Sequence, residues 1–297
     1  MEASNMSDYE NAIEIKNLTK RYDGFTLDNI SFNVPKGSIM GFIGQNGAGK
    51  STTINTILNI IKADSGEIRV FGKDTRTADV QIKQDISAVF DELPFHEQLN
   101  AKALDKILRH IFSHWSSEAF FGYLERFQLP VKKKFGQFSK GMKMKLQIAA
   151  ALSHNAKLLI MDEATTGLDP VVRNEILDIF LEFLQDEEHS ILMSSHITSD
   201  LEKIADSVTF IDKGRLLLTG YKDEILESHG VIKCSKADYE NIGKGDIISA
   251  RISDFGVEAL VSDRQSISRK YSGLVIDPTT LEEIMLFYVN REKKEWC

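Results

Sequence analysis

The chain has 297 residues, 42% hydrophobic and 27% charged, which suits one large domain or two ordinary ones and excludes a disordered chain. A net charge of -8 excludes a general nucleic-acid binder, which would carry a basic face, yet leaves room for a nucleotide held by one small loop. Cys234 and Cys297 lie far apart, which is neither a disulfide framework nor a zinc pattern and points to a reducing compartment.

The opening "MEASNMSDYE" is polar and acidic with no apolar run behind it, so no signal peptide is expected. No stretch approaches the roughly 18 consecutive apolar residues of a membrane span. Short β-rich runs follow, "AIEIKNL" and "FTLDNISFNV", separated by a turn at Asp23-Gly24. "SIMGFIG" is expected as a buried strand, and "STTINTILNIIK" as a helix with Ile54, Ile57, Leu58 and Ile61 on one face. "GEIRVFGKD" and "DISAVFD" have the pattern of strands. From about Leu93 to Leu152 the pattern is mostly helical and rich in aromatics, including Phe95, Phe112 and Trp115. α/β texture then returns. "KLLIMDE" and "SILMSSH" are expected strands, with an amphipathic helix after Pro170 between them, and "SVTFIDKGRLLLTG" is expected as a hairpin turning at Lys213-Gly214. From about Ile232 the texture changes to short strands and a final helix, "TLEEIMLFYVN", which predicts a small C-terminal α+β domain.

Between the strand "SIMGFIG" and its helix lies "GQNGAGKST", a match to G-x-x-x-x-G-K-S/T from Gly44 to Ser51. Gly44, Asn46, Gly47, Ala48 and Gly49 would let backbone N–H groups converge on phosphate oxygens, with the helix N-terminus adding partial positive charge. Lys50 would reach the β- and γ-phosphates, Ser51 would hold Mg²⁺ through its hydroxyl, and Thr52 would contact the α-phosphate side. A glycine-rich turn without function is the competing reading, and motif and context together weigh against it. "KLLIMDE" ends in Asp162, a carboxylate suited to the Mg²⁺ site. Glu163 follows directly and would orient or deprotonate a water. Taken alone these could be two solvated acids at a strand end.

With these residues in this order the chain resembles the nucleotide-binding subunit of the ATP-binding cassette (ABC) family over about Ile13 to Ser228. Tyr22 matches the family's adenine-stacking aromatic. "FSKGM" matches its signature loop, with Ser139 and Gly141 in the defining places but Lys140 and Met142 where the full motif has Gly and Gln. Gly167, Leu168 and Asp169 match the loop that crosses the dimer interface, and His196 matches the switch histidine that supports the catalytic Glu. The family's Gln at the start of the helical block is missing. Asp91 stands after the strand "ISAVF" instead, and the expectation is that it serves as an Mg²⁺ ligand.

The resemblance implies a P-loop NTPase (RecA-like) core with an antiparallel β subdomain and an inserted α-helical subdomain at about 93–152. The cassette would span 12–228 and a C-terminal accessory domain 232–297. It implies ATP and Mg²⁺ as ligands, and a homodimer in which the signature loop of one subunit meets the ATP of the other. It also implies a separate transmembrane permease that keeps the chain peripheral on the cytoplasmic side of the cell membrane. Hydrolysis of ATP to ADP and phosphate would then drive export. The variant signature loop and the C-terminal "TLEEIMLFYV" look like the bacterial branch for drugs, bacitracin-like antibiotics and amphipathic peptides. Translation-type members carry two cassettes where 297 residues hold one, and repair-type members insert coiled coils where the interval from Ser51 to Ser139 shows no sustained heptads. A regulatory ATPase without transport, or an exporter of lipids or other small molecules, stays as an alternative.

Overall fold

The computed structural model describes residues 10–293, 295 and 296. Cys297 and all but the last residue of "MEASNMSDYE" lie outside them. β1 (Asn11–Tyr22) and β2 (Phe25–Pro35) form an antiparallel hairpin that turns at Gly24, where φ is +79°. β3 (Ile39–Ile43) is buried along its whole length, as a strand covered on both faces must be. α1 (Lys50–Ile57) follows the Gly-rich loop. The chain then returns beside β1 as β4 (Ser65–Val70) and β5 (Lys73–Asp74). These complete an antiparallel sheet of order β2-β1-β4-β5, the expected β subdomain.

α2 (Asp79–Asp85) leads into β6 (Ile86–Phe90). The helical block follows as α3 (Ala101–Ile111), α4 (Ser117–Arg126) and α5 (Lys140–Ala151). Asn100, Ser116 and Ser139 cap these three helices with their side chains. Residues 127–139 are less helical than the aromatic-rich pattern suggests. Pro130 breaks the path, and one short 3₁₀ turn at Phe135–Gln137 lets Phe135 and Phe138 enter the core.

β7 (Leu158–Asp162), α6 (Pro170–Phe183), β8 (Ser190–Ser195), α7 (Thr198–Ile204), β9 (Ser207–Asp212) and β10 (Arg215–Tyr221) complete the main layer. Its sheet has six strands in the order β10-β9-β3-β8-β7-β6, parallel except for β10. The β9–β10 turn falls at Lys213 and Gly214, both at positive φ. Only glycine fits at 214, because a Cβ there would sit 1.9 Å from the Thr26 carbonyl oxygen.

After α8 (Lys222–Ser228) a third sheet begins at Gly230, two residues earlier than the sequence texture indicates. It contains β11 (Gly230–Cys234), β12 (Ser249–Ser253), β13 (Gly256–Val261), β14 (Val275–Asp277) and β15 (Glu295–Trp296), in the order β14-β11-β13-β12-β15. α9 (Lys236–Glu240) and α10 (Arg264–Lys270) flank it. It has a small core of its own around Ile232, Val257 and Ala259. α11 (Leu281–Val289), by contrast, sends Leu281, Ile284 and Phe287 into the main core.

The register sets the site. Ile43 pairs with Ser195, Ser194 with Asp162, and Asp162 with Phe90. The C-terminal ends of β3, β8, β7 and β6 therefore stand in one row, where ligands of open α/β sheets bind.

Candidate nucleotide site

The Gly-rich loop leaves the buried end of β3 and is shaped by its glycines. A Cβ on Gly44 would lie 2.5 Å from the Ile211 carbonyl oxygen, so no other residue fits without moving β9. Gly47 and Gly49 have φ of +81° and +115°, and Gly49 caps α1. Asn46 and Ala48 complete the bend, with Ala48 N donating to Gln45 O at 3.1 Å. Ser51 is exposed and Thr52 half-buried at the start of α1. The Lys50 side chain is 5% exposed and folds along the loop, donating to Gly44 O at 2.7 Å and Gln45 O at 3.2 Å.

Glu163 is the centre of the row. Lys50 Nζ lies 3.0 Å from its Oε1, while Oε2 accepts from Thr166 Oγ1 at 2.8 Å and meets His196 Nδ1 at 2.6 Å. Burial pushes the Glu163 carboxyl up, but the Thr166 hydroxyl, the Lys50 ammonium and His196 outweigh it and hold the group below the ordinary carboxylate range. It is thus a carboxylate at neutral pH, pre-aligned as a base. Its backbone sits at φ +56°, an uncommon conformation for a non-glycine residue.

Ser194 holds that conformation. Its carbonyl and hydroxyl oxygens both accept from Glu163 N at 3.2 Å, and its hydroxyl donates to Asp162 Oδ1 at 2.6 Å. Sequence reasoning missed Ser194, and the available signal was a serine near the end of an otherwise apolar strand. It also gave Thr166 no part in holding Glu163.

The side chains of Asp169, Asp91 and Trp115 each have a partner within the chain. Asp169 is engaged as the N-cap of α6, accepting from Val171 N and Val172 N, both at 3.1 Å. Asp91 does not stand free for a metal: its Oδ1 is 2.5 Å from Lys140 Nζ. Trp115 packs inward, with Nε1 donating to Asp105 Oδ1 at 2.9 Å and its ring 5.2 Å from that of Phe120. Tyr22 ends β1 and is 44% exposed, with the Lys20 ammonium 5.4 Å from its ring centre.

Two oxygen donors stand where a magnesium ion would need them, on Ser51 and Asp162. Ser194 takes one oxygen of Asp162, which leaves the other for a metal, and the Ser51 hydroxyl is exposed at the loop. Among the described residues no group of three or more His, Cys, Asp or Glu could hold a metal by itself.

The signature loop stands apart from this row. Ser139 caps α5, accepting from Met142 N at 3.3 Å. Ser139, Lys140, Gly141, Gly167, Leu168 and Asp169 line one cavity of about 400 Å³, and the Gly-rich loop contributes no residue to it. An added Cβ on Gly141 would meet only Val172, at 3.5 Å, an ordinary contact. Packing within the chain therefore does not demand glycine there. A second cavity of about 400 Å³ lies between β6 and the helical block. It is apolar and lined by Ile60, Phe90, Pro94, Phe95, Ile111 and Phe112 among others. No helix among the described residues is long and apolar enough to cross a membrane.

Residues 27–166 match the family described as ABC transporter. A bacitracin transport ATP-binding protein of Bacillus licheniformis is 38% identical over 208 residues, covering 69% of this chain and 68% of that protein. A lantibiotic transport ATP-binding protein of Streptococcus pyogenes is 35% identical over 217 residues, covering 69% of this chain and 89% of its own length. A linearmycin resistance ATP-binding protein of Bacillus subtilis is 32% identical over 262 residues, covering 85% and 78% respectively. Among solved structures, the ATP-binding subunit of an ABC transporter superposes with a TM-score of 0.67 at 27% identity, covering 73% of this chain and 92% of that one.

Proposed function

Since the chain belongs to the ABC transporter family, as an ATP-hydrolysing subunit that works with a separate transmembrane component, we propose that it powers export of amphipathic or antimicrobial peptides. The observation that carries the catalytic part is Glu163, held as a carboxylate by Lys50, Thr166 and His196 just past the end of β7. The names of the bacitracin and lantibiotic relatives support the cargo class.

In this reading Tyr22 stacks on adenine. The backbone from Gly44 to Gly49 and the Lys50 ammonium bind the phosphates. Ser51 and Asp162 hold Mg²⁺, which when bound neutralises phosphate charge. Glu163 takes the proton of the in-line water, and His196 fixes Glu163 in place and faces the γ-phosphate. Lys50 is already paired with Glu163, so a γ-phosphate has to draw the ammonium away, which ties release of the base to arrival of substrate. Ser139, Lys140, Gly141 and Met142 serve the ATP of the opposite subunit. Gly167, Leu168 and Asp169 lie against the dimer partner.

The apolar cavity between β6 and the helical block supports a seat for a short helix of the permease, because Ile60 and Ile111 at its rim are exposed although apolar. That contact would keep the chain on the cytoplasmic face of the membrane. Residues 12–228 would form the cassette, with the third sheet as an accessory domain. The test is ATP turnover by the chain reconstituted with its permease, measured against a panel of amphipathic peptides, small drugs and lipids. Stimulation by peptides alone supports the reading. Stimulation only by lipids or drugs, or by none, contradicts the cargo.

A further inference from the structure

The end of β6 is bonded to both ends of one stretch of the signature helix. Gln147 of α5 is buried, accepts from Phe90 N at 3.1 Å and donates to Phe90 O at 3.0 Å. It closes the backbone of Phe90 on both sides, as a neighbouring strand would. The next residue, Asp91, reaches back to the first residue of the same helix through its ion pair with Lys140 at 2.5 Å. The Lys140 ammonium also rests against Gly167, 3.2 Å from the position a Cβ would take.

These contacts join two cavities. Phe90 and Gln147 line the apolar one, and Lys140 and Gly167 line the one at the signature loop. Residues 140 and 147 are two helical turns apart, roughly 10 Å, so a rigid α5 spans the distance. Two of the three places where the chain departs from the family pattern, an acid for Gln and a lysine for Gly, are the two ends of one ion pair.

We propose that Asp91 and Gln147 are positioning residues that make the end of β6 and the signature loop a single body, so that a displacement at the apolar cavity reaches the loop serving the opposite subunit's ATP. Asp91 acts through Lys140 and is not a metal ligand. The pair is more than two-fifths exposed at each end, so it adds little to stability and acts by fixing the position of Lys140. This rests on the reading that the signature loop works across a dimer.

The test uses the full-length chain and a charge-reversal cycle, Asp91→Lys, Lys140→Asp and the double variant, with ATP turnover followed against protein concentration. Each single reversal is expected to raise the protein concentration for half-maximal turnover about fivefold, and the double reversal to recover most of that loss. Thermal midpoints should stay together. The Mg²⁺ midpoint should move no more in Asp91→Asn than in Lys140→Met. A double reversal whose loss is the product of the single losses overturns the proposal, as does an Mg²⁺ shift confined to Asp91→Asn. If a reversal unfolds the chain, Asp91→Asn with Lys140→Met replaces it. That double should then be no worse than either single, and additive losses overturn the proposal. Wild-type turnover that does not depend on protein concentration would instead remove the dimer reading beneath it, a failure visible without any variant.

Discussion

Glu163 shows how one side chain is tuned by groups far apart in the chain. Thr166 lies three residues on in the same loop, whereas Lys50, after β3, and Ser194 and His196, at the end of β8, reach Glu163 because β3, β8 and β7 stand side by side. Glu163→Gln keeps the shape and removes the base. ATP binding should persist while turnover falls by about 100-fold or more, and steady-state turnover beside equilibrium nucleotide binding checks both. Normal turnover would refute the base assignment. Ser194→Ala should lower turnover about tenfold and weaken Mg²⁺ dependence, because it frees one Asp162 oxygen from its fixing bond. An Mg²⁺ titration reads this.

His154 gives a pH prediction at the same scale. Burial, against weaker support from nearby backbone carbonyls, holds its pKa at about 4, below its ordinary 6.5. Its Nε2 meets Ser87 Oγ at 2.5 Å and its ring stacks on Phe112. Between those two values the unfolded chain binds the extra proton and the folded chain does not. Stability is therefore full above about pH 6.5 and falls as pH drops toward 4. From about pH 7.5 to about pH 5 this one group should cost about 2 kcal/mol. Urea midpoints for wild type and His154→Gln should show a smaller drop in the variant. His229, also lowered by burial, acts in the same direction in both proteins.

At the scale of elements, the strand–loop–helix unit from β3 to α1 was legible because its glycines answer a local need. Gly44, Gly47 and Gly49 sit where a side chain would clash or the backbone turns left-handed. Gly44→Ala should destabilise by about 1–3 kcal/mol, as overpacking against a backbone oxygen does, and a denaturation midpoint would show it. The helical block was less legible. An aromatic-rich, helix-compatible pattern covers residues 93–152, but nothing local shows that Phe135 and Phe138 would reach the core from outside the α-helices. Nor does the sequence show that Gln147 would bond Phe90, since those residues meet only across the fold. Asp91 follows its strand as expected, and its ion pair could not be read from the sequence. Its partner Lys140 is 49 positions away, beyond the reach of any local pattern.

For the whole molecule, the third sheet is more closely tied to the cassette than a texture change in the sequence implies. α11 begins with a capping box at Thr280 and Glu283 and buries Leu281, Ile284 and Phe287 with the main core. Leu281 N donates to Glu202 Oε1 at 2.7 Å, which pins the start of α11 beside α7. Ile284 is fully buried, so Ile284→Ala should cost about 2–5 kcal/mol in chemical denaturation, far more than an independent appendage would transmit.

The central claim is that one chain holds two half-sites that are completed only by a second copy. Mixing two inactive variants tests it directly. Lys50→Ala lacks the phosphate lysine and Ser139→Arg blocks the signature loop, so each alone should hydrolyse ATP poorly. In a mixed dimer, the intact Gly-rich loop of the Ser139→Arg chain faces the intact signature loop of the Lys50→Ala chain. With random pairing of an equimolar mixture, turnover should return toward about a quarter of wild type. A mixture no more active than its components would contradict the account.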